Sequence, residues 1–274
     1  MPQSYFSFLF QAINDVLTQN ASQFESTGMT MFRGLAVILV VWFGIQAGLV
    51  SASGGGGFQW AKFASLLQQL LVVYTMLTFY SLPIPGFGVS FTHLILDQVQ
   101  SMTATLNLAS VQSIMDTLNT FEGSIPYPSP WDALEIIRFL FLIIAVIAAQ
   151  AVTLFVTMFG YVATAVIVLV GPVFIPFKLM PEMDWMFWGW LRSFIQFAFY
   201  QLIASAYVFI FGEFLQQILG AKNTPLSGTD VAYLFVPLLL VLITFILGVI
   251  KIPALTFSIF SGRAGDYIFP WWGR

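Results

Sequence analysis

Arg192, Gln196 and Tyr200 recur every fourth residue through an apolar stretch, so in a helix they stack along one face. Glu213, Gln216 and Gln217 follow near the far end of that stretch. Polar groups set in apolar sequence are costly unless they face protein or water. The stripe is therefore a candidate pore lining or subunit contact. The plainer account uses the same residues: Arg192 lays its stem along the helix and keeps its charge at a membrane surface, while the amide and phenol groups bond to neighbouring helices. The sequence leaves both accounts open.

Other reactive groups are sparse. His93 is the only histidine, so a histidine-based zinc site or proton relay has no second member. With no cysteine, disulfides, thiolate metal sites and thiol catalysis are excluded. Gly54-Gly55-Gly56-Gly57 is not followed by the Gly-Lys-Ser/Thr of a phosphate-binding loop and reads as a flexible connection between two helices. The apolar segments hold no paired acid, base or metal ligands, so neither an enzyme nor a bound cofactor is expected. A net charge of −3 with nine basic residues offers no patch for direct, specific nucleic-acid binding.

The elements that must carry these residues are set by one feature. Between Arg138 and Lys178 lie 39 residues, Phe139 to Phe177, without a single charge. The chain as a whole is 59% hydrophobic and 8% charged. A span needs about 20 apolar residues. Apolar stretches cover 28–50, 58–80, 136–177, 185–215 and 231–252. They are too continuous for the alternating pattern of barrel strands, and backbone groups in lipid must be satisfied within their own segment. The fold class is therefore all-α: a multi-pass helical membrane protein with five transmembrane helices. At 1.5 Å per residue the uncharged run makes about 58 Å of helix, so it is one long protruding helix or, with a break near Gly160, two spans and six in total.

The expected organisation follows. Residues 1–27 form an amphipathic helix, with Phe6, Leu9, Phe10, Ile13, Val16, Leu17 and Phe24 on one face. They lack the basic and continuous apolar regions of a cleavable signal peptide. Residues 28–80 hold two spans, 81–130 a large extracytoplasmic loop with a helix from about Phe91 to Asn119, 131–252 three spans, and 253–274 a cytoplasmic tail. Residues 63–137 contain no Lys or Arg. Short cytoplasmic loops collect basic residues, so the 81–130 loop belongs outside and Lys62, Lys178, Arg192, Lys251, Arg263 and Arg274 inside. Gly44 and Gly48, like Ala145 and Ala149, have the small-x-x-x-small spacing that lets helices approach closely. Gln68, Gln69 and Gln150 read as interhelical hydrogen-bonding groups.

In Gly171-Pro172-Val173-Phe174-Ile175-Pro176-Phe177-Lys178, each proline removes a backbone donor and crowds the preceding turn, so a helix break is expected at Gly171-Pro172 and Pro176. Such a break survives at membrane depth only against protein or a cavity. Trp185, Trp188, Trp190 and Arg192 then form an aromatic and basic girdle. Pro253 is expected to close the last span.

A Gly-Pro helix end, a short loop and Trp190-Leu191-Arg192 leading into the next span resemble the TrbL-type family, polytopic inner-membrane components of type IV secretion and conjugation machines. So does Lys251-Ile252-Pro253-Ala254-Leu255 followed by Ser261-Gly262-Arg263-Ala264-Gly265. The resemblance covers residues 131–265 well and the N-terminal third in layout. It implies a non-catalytic subunit in the bacterial inner (cytoplasmic) membrane, forming a homo-oligomeric ring, pentameric as in the family. Such a ring would support DNA or protein translocation and pilus assembly. The implied partners are other secretion-machine membrane subunits, pilin and minor pilin, membrane lipids and a transient DNA or protein substrate, with energy from separate cytoplasmic ATPases. Subunit contacts are expected on the N-terminal helix, the 91–119 helix and the Arg192 face. The alternative is a small-solute channel or transporter. The absence of an internal repeat, of paired broken helices and of mid-span acidic groups argues against ion-coupled transport but leaves a passive pore.

Overall fold

The computed structural model describes residues 3–53, 59–220 and 228–261. Every regular element among them is helical. In chain order they are α1 (Gln3–Ala52), α2 (Trp60–Thr78), α3 (Phe91–Ser124), α4 (Ala133–Phe174), a 3-10 turn (Ile175–Leu179), α5 (Asp184–Gly220) and α6 (Gly228–Ser261). Among the described residues, four segments are long and apolar enough to cross a membrane: Gln19–Ala52, Ala133–Leu179, Asp184–Phe214 and Tyr233–Phe260. The second expected span, α2, is not among them; it has 19 residues and carries Lys62, Gln68 and Gln69. The chain is an all-α, multi-pass membrane protein.

The helices form two compact units. One comprises Met1–Asp97 with Val162–Ile195, the other Gln98–Tyr161 with Gln196–Arg274. In the first, α1 and α2 make an antiparallel hairpin, with Phe32 against Tyr74 (ring centroids 5.9 Å) and Phe43 against Phe63 (5.5 Å). Its core joins Phe32, Val73, Leu77, Ile175, Leu179 and Phe187. Between helices in lipid such side chains gain van der Waals packing rather than release from water. In the second unit, Ile114 and Leu118 of α3 meet Leu142 and Val146 of α4, Val208 of α5 and Phe245 of α6.

Several sequence expectations change. Residues 1–27 are not a separate helix: α1 runs for 50 residues across position 28 without interruption. The side chains on which its amphipathic faces depend, most of residues 3–18, lie outside the described ones, as do the Gly54–Gly57 connection and residues 262–274. The uncharged run is one helix. α4 continues through Gly160, where a Cβ would come within 2.7 Å of the Tyr200 ring, so this glycine serves close approach and not a break. The helix expected inside the 81–130 loop extends to Ser124 and places Ile114, Leu118 and Phe121 in a core that Ile125, just past its end, also joins; it is an integral part of the second bundle. Gln150 does bond between helices, its Nε2 donating to Asn119 Oδ1 at 3.1 Å. Gln68 and Gln69 are exposed instead.

Neither Pro172 nor Pro253 ends its helix. α4 runs on to Phe174, and the change to 3-10 geometry comes at Ile175, with Pro176 in the first turn. α6 runs past Pro237 and Pro253 to Ser261, so residues 253–261 belong to the helix and not to a tail. The physical reason is the solvent. A frayed turn in an apolar medium loses several backbone bonds with no water to replace them, whereas an internal proline loses one.

Candidate functional site: a clamped helix end

The residues singled out at the end of α4 converge on one joint in the first unit. In a continuous α-helix the carbonyl of residue 168 accepts the amide of residue 172. Residue 172 is proline, so Val168 has no helical donor. The Tyr80 hydroxyl fills this role, donating to the Val168 carbonyl. One residue earlier, Trp190 Nε1 of α5 donates to the Ile167 carbonyl at 2.9 Å. Two aromatic side chains from different helical regions thus bond consecutive carbonyls at the weakened turn.

Tyr80 is itself held. It follows α2, and its carbonyl accepts Thr92 Oγ1 at 3.1 Å, while Phe91 N donates to Phe79 O at 2.9 Å. The chain between reverses through Gly86 and Gly88, both at positive φ (91° and 71°), a conformation that favours glycine. Ser90 and Thr92 hydroxyls meet at 3.2 Å. The Pro83–Pro85 segment therefore makes a tight turn that returns the chain beside Tyr80.

Gly171 is the space that admits both aromatics. A Cβ there would overlap Tyr80 Oη and lie 2.6 Å from Trp190 Cζ2. Pro176 repeats the proline logic one turn later: the carbonyl whose helical donor it lacks is that of Pro172. Gly28 of α1 packs on that carbonyl, and a Cβ at position 28 would overlap Pro172 O and lie 2.7 Å from its carbonyl carbon. Such close backbone approach is what glycine permits. The expectation that the irregular backbone is buried against a neighbouring helix thus has specific partners: α1 through Gly28, α5 through Trp190, and Tyr80.

The remaining predicted residues do not join this joint. Pro253 lies in the second unit. Along the α5 stripe Arg192 is exposed, Gln196 half-buried and Tyr200 buried, so the three do not share one environment. Tyr200 Oη reaches the Val156 carbonyl at 3.5 Å, and its ring stands edge-on to Phe159. Glu213 is exposed. The buried amide on α5 is Gln201, whose Nε2 lies 3.4 Å from the Gly160 carbonyl. A Cβ at Gly44 or Gly48 would meet nothing within 4 Å, so among the described residues this pair packs against no other helix, whereas Ala145 and Ala149 are buried. Gly28, Tyr80, Trp190 as a hydrogen-bond donor, and Gln201 were not singled out by sequence. Only Gly28 carried a signal, standing at the start of an apolar stretch.

The joint offers backbone-capping hydrogen bonds and shape. Among the described residues no group of three or more His, Asp or Glu could hold a metal ion. The comparison with known families then decides the class. The sequence matches the family model "TrbL/VirB6 plasmid conjugal transfer protein" over residues 36–252. The chain belongs to the TrbL/VirB6 family. No curated protein matches it. The family places the chain among the components of conjugal transfer and type IV secretion machines, which work with other subunits. The matched span includes Tyr80, Gly171, Pro172 and Trp190; Gly28 precedes it.

Proposed function

We propose that this TrbL/VirB6 protein is a non-catalytic channel or platform subunit of a conjugation machine in the bacterial inner membrane. In this reading it acts as a homo-oligomeric ring, pentameric as implied by the TrbL-type resemblance. The ring supports passage of DNA or protein and seats a pilus built from pilin and minor pilin.

One observation carries the reading. The first and last spanning helices leave much of their apolar surface uncovered by the chain itself. In the most apolar window of Gln19–Ala52 none of the residues is buried, and in that of Tyr233–Phe260 only 22% are. Val37, Val41, Trp42 and Leu49 of α1 stand open, alongside Gly44 and Gly48. A self-contained transporter encloses its own path. A chain with this much open surface is suited to association with lipids and further subunits, through packing of small residues and polar contacts. The clamped joint supplies what such a subunit needs, a fixed angle between the α4–α5 turn and the α1–α2 hairpin.

Gentle extraction of the full-length protein with its machine, followed by native mass spectrometry and imaging, tests the proposal. A symmetric homo-oligomer supports it. A stable monomer that still sustains plasmid transfer and pilus formation overturns it.

A further inference from the structure

We propose that the turn between α4 and α5 binds the phosphate headgroup of an anionic phospholipid, with Lys178 and Arg192 as the cationic contacts and Trp185 and Trp188 as the aromatic floor. The inference rests on the membrane character of the chain and stands apart from the ring reading.

The aromatic and basic girdle seen in the sequence divides in the structure. Trp190 turns inward, 5% exposed, and bonds Ile167. Trp185 and Trp188 turn outward, 68% and 51% exposed. With Arg192 they follow i, i+3, i+7 spacing, so all three lie on one outer face of α5. Lys178 reaches this face from the preceding turn: its Nζ stands 4.6 Å from the centroid of the Trp188 ring and 5.9 Å from that of Phe187. Two cations and two exposed indoles therefore share one open surface.

Each member suits a headgroup. Indole rings at membrane surfaces have an apolar body and a polar N–H. Lysine stacked over an indole keeps its charge in place by cation–π attraction. Arg192 is exposed and makes no salt bridge among the described residues. Among the described residues Lys178 engages Asp184, 3.8 Å from its Nζ, a distance at the outer limit of an ion pair. A carboxylate so loosely held is a competitor that a lipid phosphate can displace. Glu182, exposed on the same turn, adds negative charge and keeps the patch from being generally basic. That balance selects a single phosphate beside apolar chains over nucleic acid, whose binding draws on many cations at once.

The experiment uses the purified full-length protein in mild detergent, with native mass spectrometry of retained phosphatidylglycerol against phosphatidylcholine at equal concentration. Wild type should retain phosphatidylglycerol preferentially. Lys178→Gln with Arg192→Gln should lower that retention about twenty-five-fold, since each basic residue at an anionic surface contributes roughly a factor of five. Lys178→Arg should keep it, and Asp184→Asn should raise it. Equal retention of the two lipids by wild type, unchanged retention in the double variant, or displacement of phosphatidylglycerol by a single-stranded oligonucleotide overturns the proposal. If the double variant does not fold, Asp184→Asn decides alone: higher phosphatidylglycerol retention supports the site, equal or lower retention overturns it.

Discussion

Tyr80 donates its hydroxyl to the carbonyl of Val168, the carbonyl that Pro172 leaves without a helical donor. The two residues are 88 positions apart, so a weakness written at the end of one helix is met by a side chain beyond the end of another. The proline keeps α4 from standing as an autonomous helix at this turn, and the tyrosine ties it to its own unit.

This relationship predicts a coupling. Tyr80→Phe keeps the ring and removes the donor, leaving a carbonyl unsatisfied at a cost of about 1–3 kcal/mol. Pro172→Ala restores a backbone donor to Val168. Tyr80→Phe should therefore cost clearly less in the Pro172→Ala background, as read from thermal unfolding in detergent. Equal costs in both backgrounds would show that the tyrosine acts through packing alone.

Two classes of glycine should respond in opposite ways. Gly171→Ala drives a methyl group into Tyr80 Oη and should destabilise by at least the 1–3 kcal/mol typical of overpacking. Gly28→Ala should act similarly through the Pro172 carbonyl. Gly44→Ala and Gly48→Ala meet nothing within 4 Å and should hold or raise stability by about 0.5–1 kcal/mol, as expected for glycine replaced in a helix. Should the latter pair nonetheless reduce oligomer recovery, their open face lies at a subunit boundary. A melting temperature lowered equally by all four substitutions would defeat the distinction.

Pro253→Ala should leave membrane insertion and topology unchanged, because α6 already continues to Ser261. The added amide supplies the Val249 carbonyl, so stability should stay level or rise. Protease mapping that shows a shortened or displaced last span in wild type relative to the variant would contradict this.

Sidedness is open to direct labelling, since the native sequence has no cysteine. Ser129 and Glu182 are both exposed. In intact cells Ser129→Cys should react with a membrane-impermeant thiol reagent and Glu182→Cys should not, because residues 63–137 lack Lys and Arg. The reverse pattern would invert the topology.

Sequence alone determined the class of this protein and its family. Spanning a membrane is a local requirement, about 20 apolar residues with backbone bonds closed inside the segment, and local requirements are legible in a linear string. The Gly-Pro helix end and its Trp-Leu-Arg sequel are also local, and they pointed to the TrbL-type machines. Tertiary structure decided what each marked residue does. Prolines look like terminators because the lost donor is local, but whether the helix stops depends on Tyr80 and on solvent that is not water. Of three tryptophans in one short stretch, helical geometry turns Trp190 onto a carbonyl of α4 and leaves Trp185 and Trp188 outside. Gln196 and Gln201 are alike in sequence, but the one that is buried is the one whose side chain reaches the Gly160 carbonyl. The helix from Phe91 looked like loop decoration because its apolar positions are diluted by polar ones, and only packing against α4 reveals it as core. In each case the deciding partner lies far along the chain, where spacing carries no information.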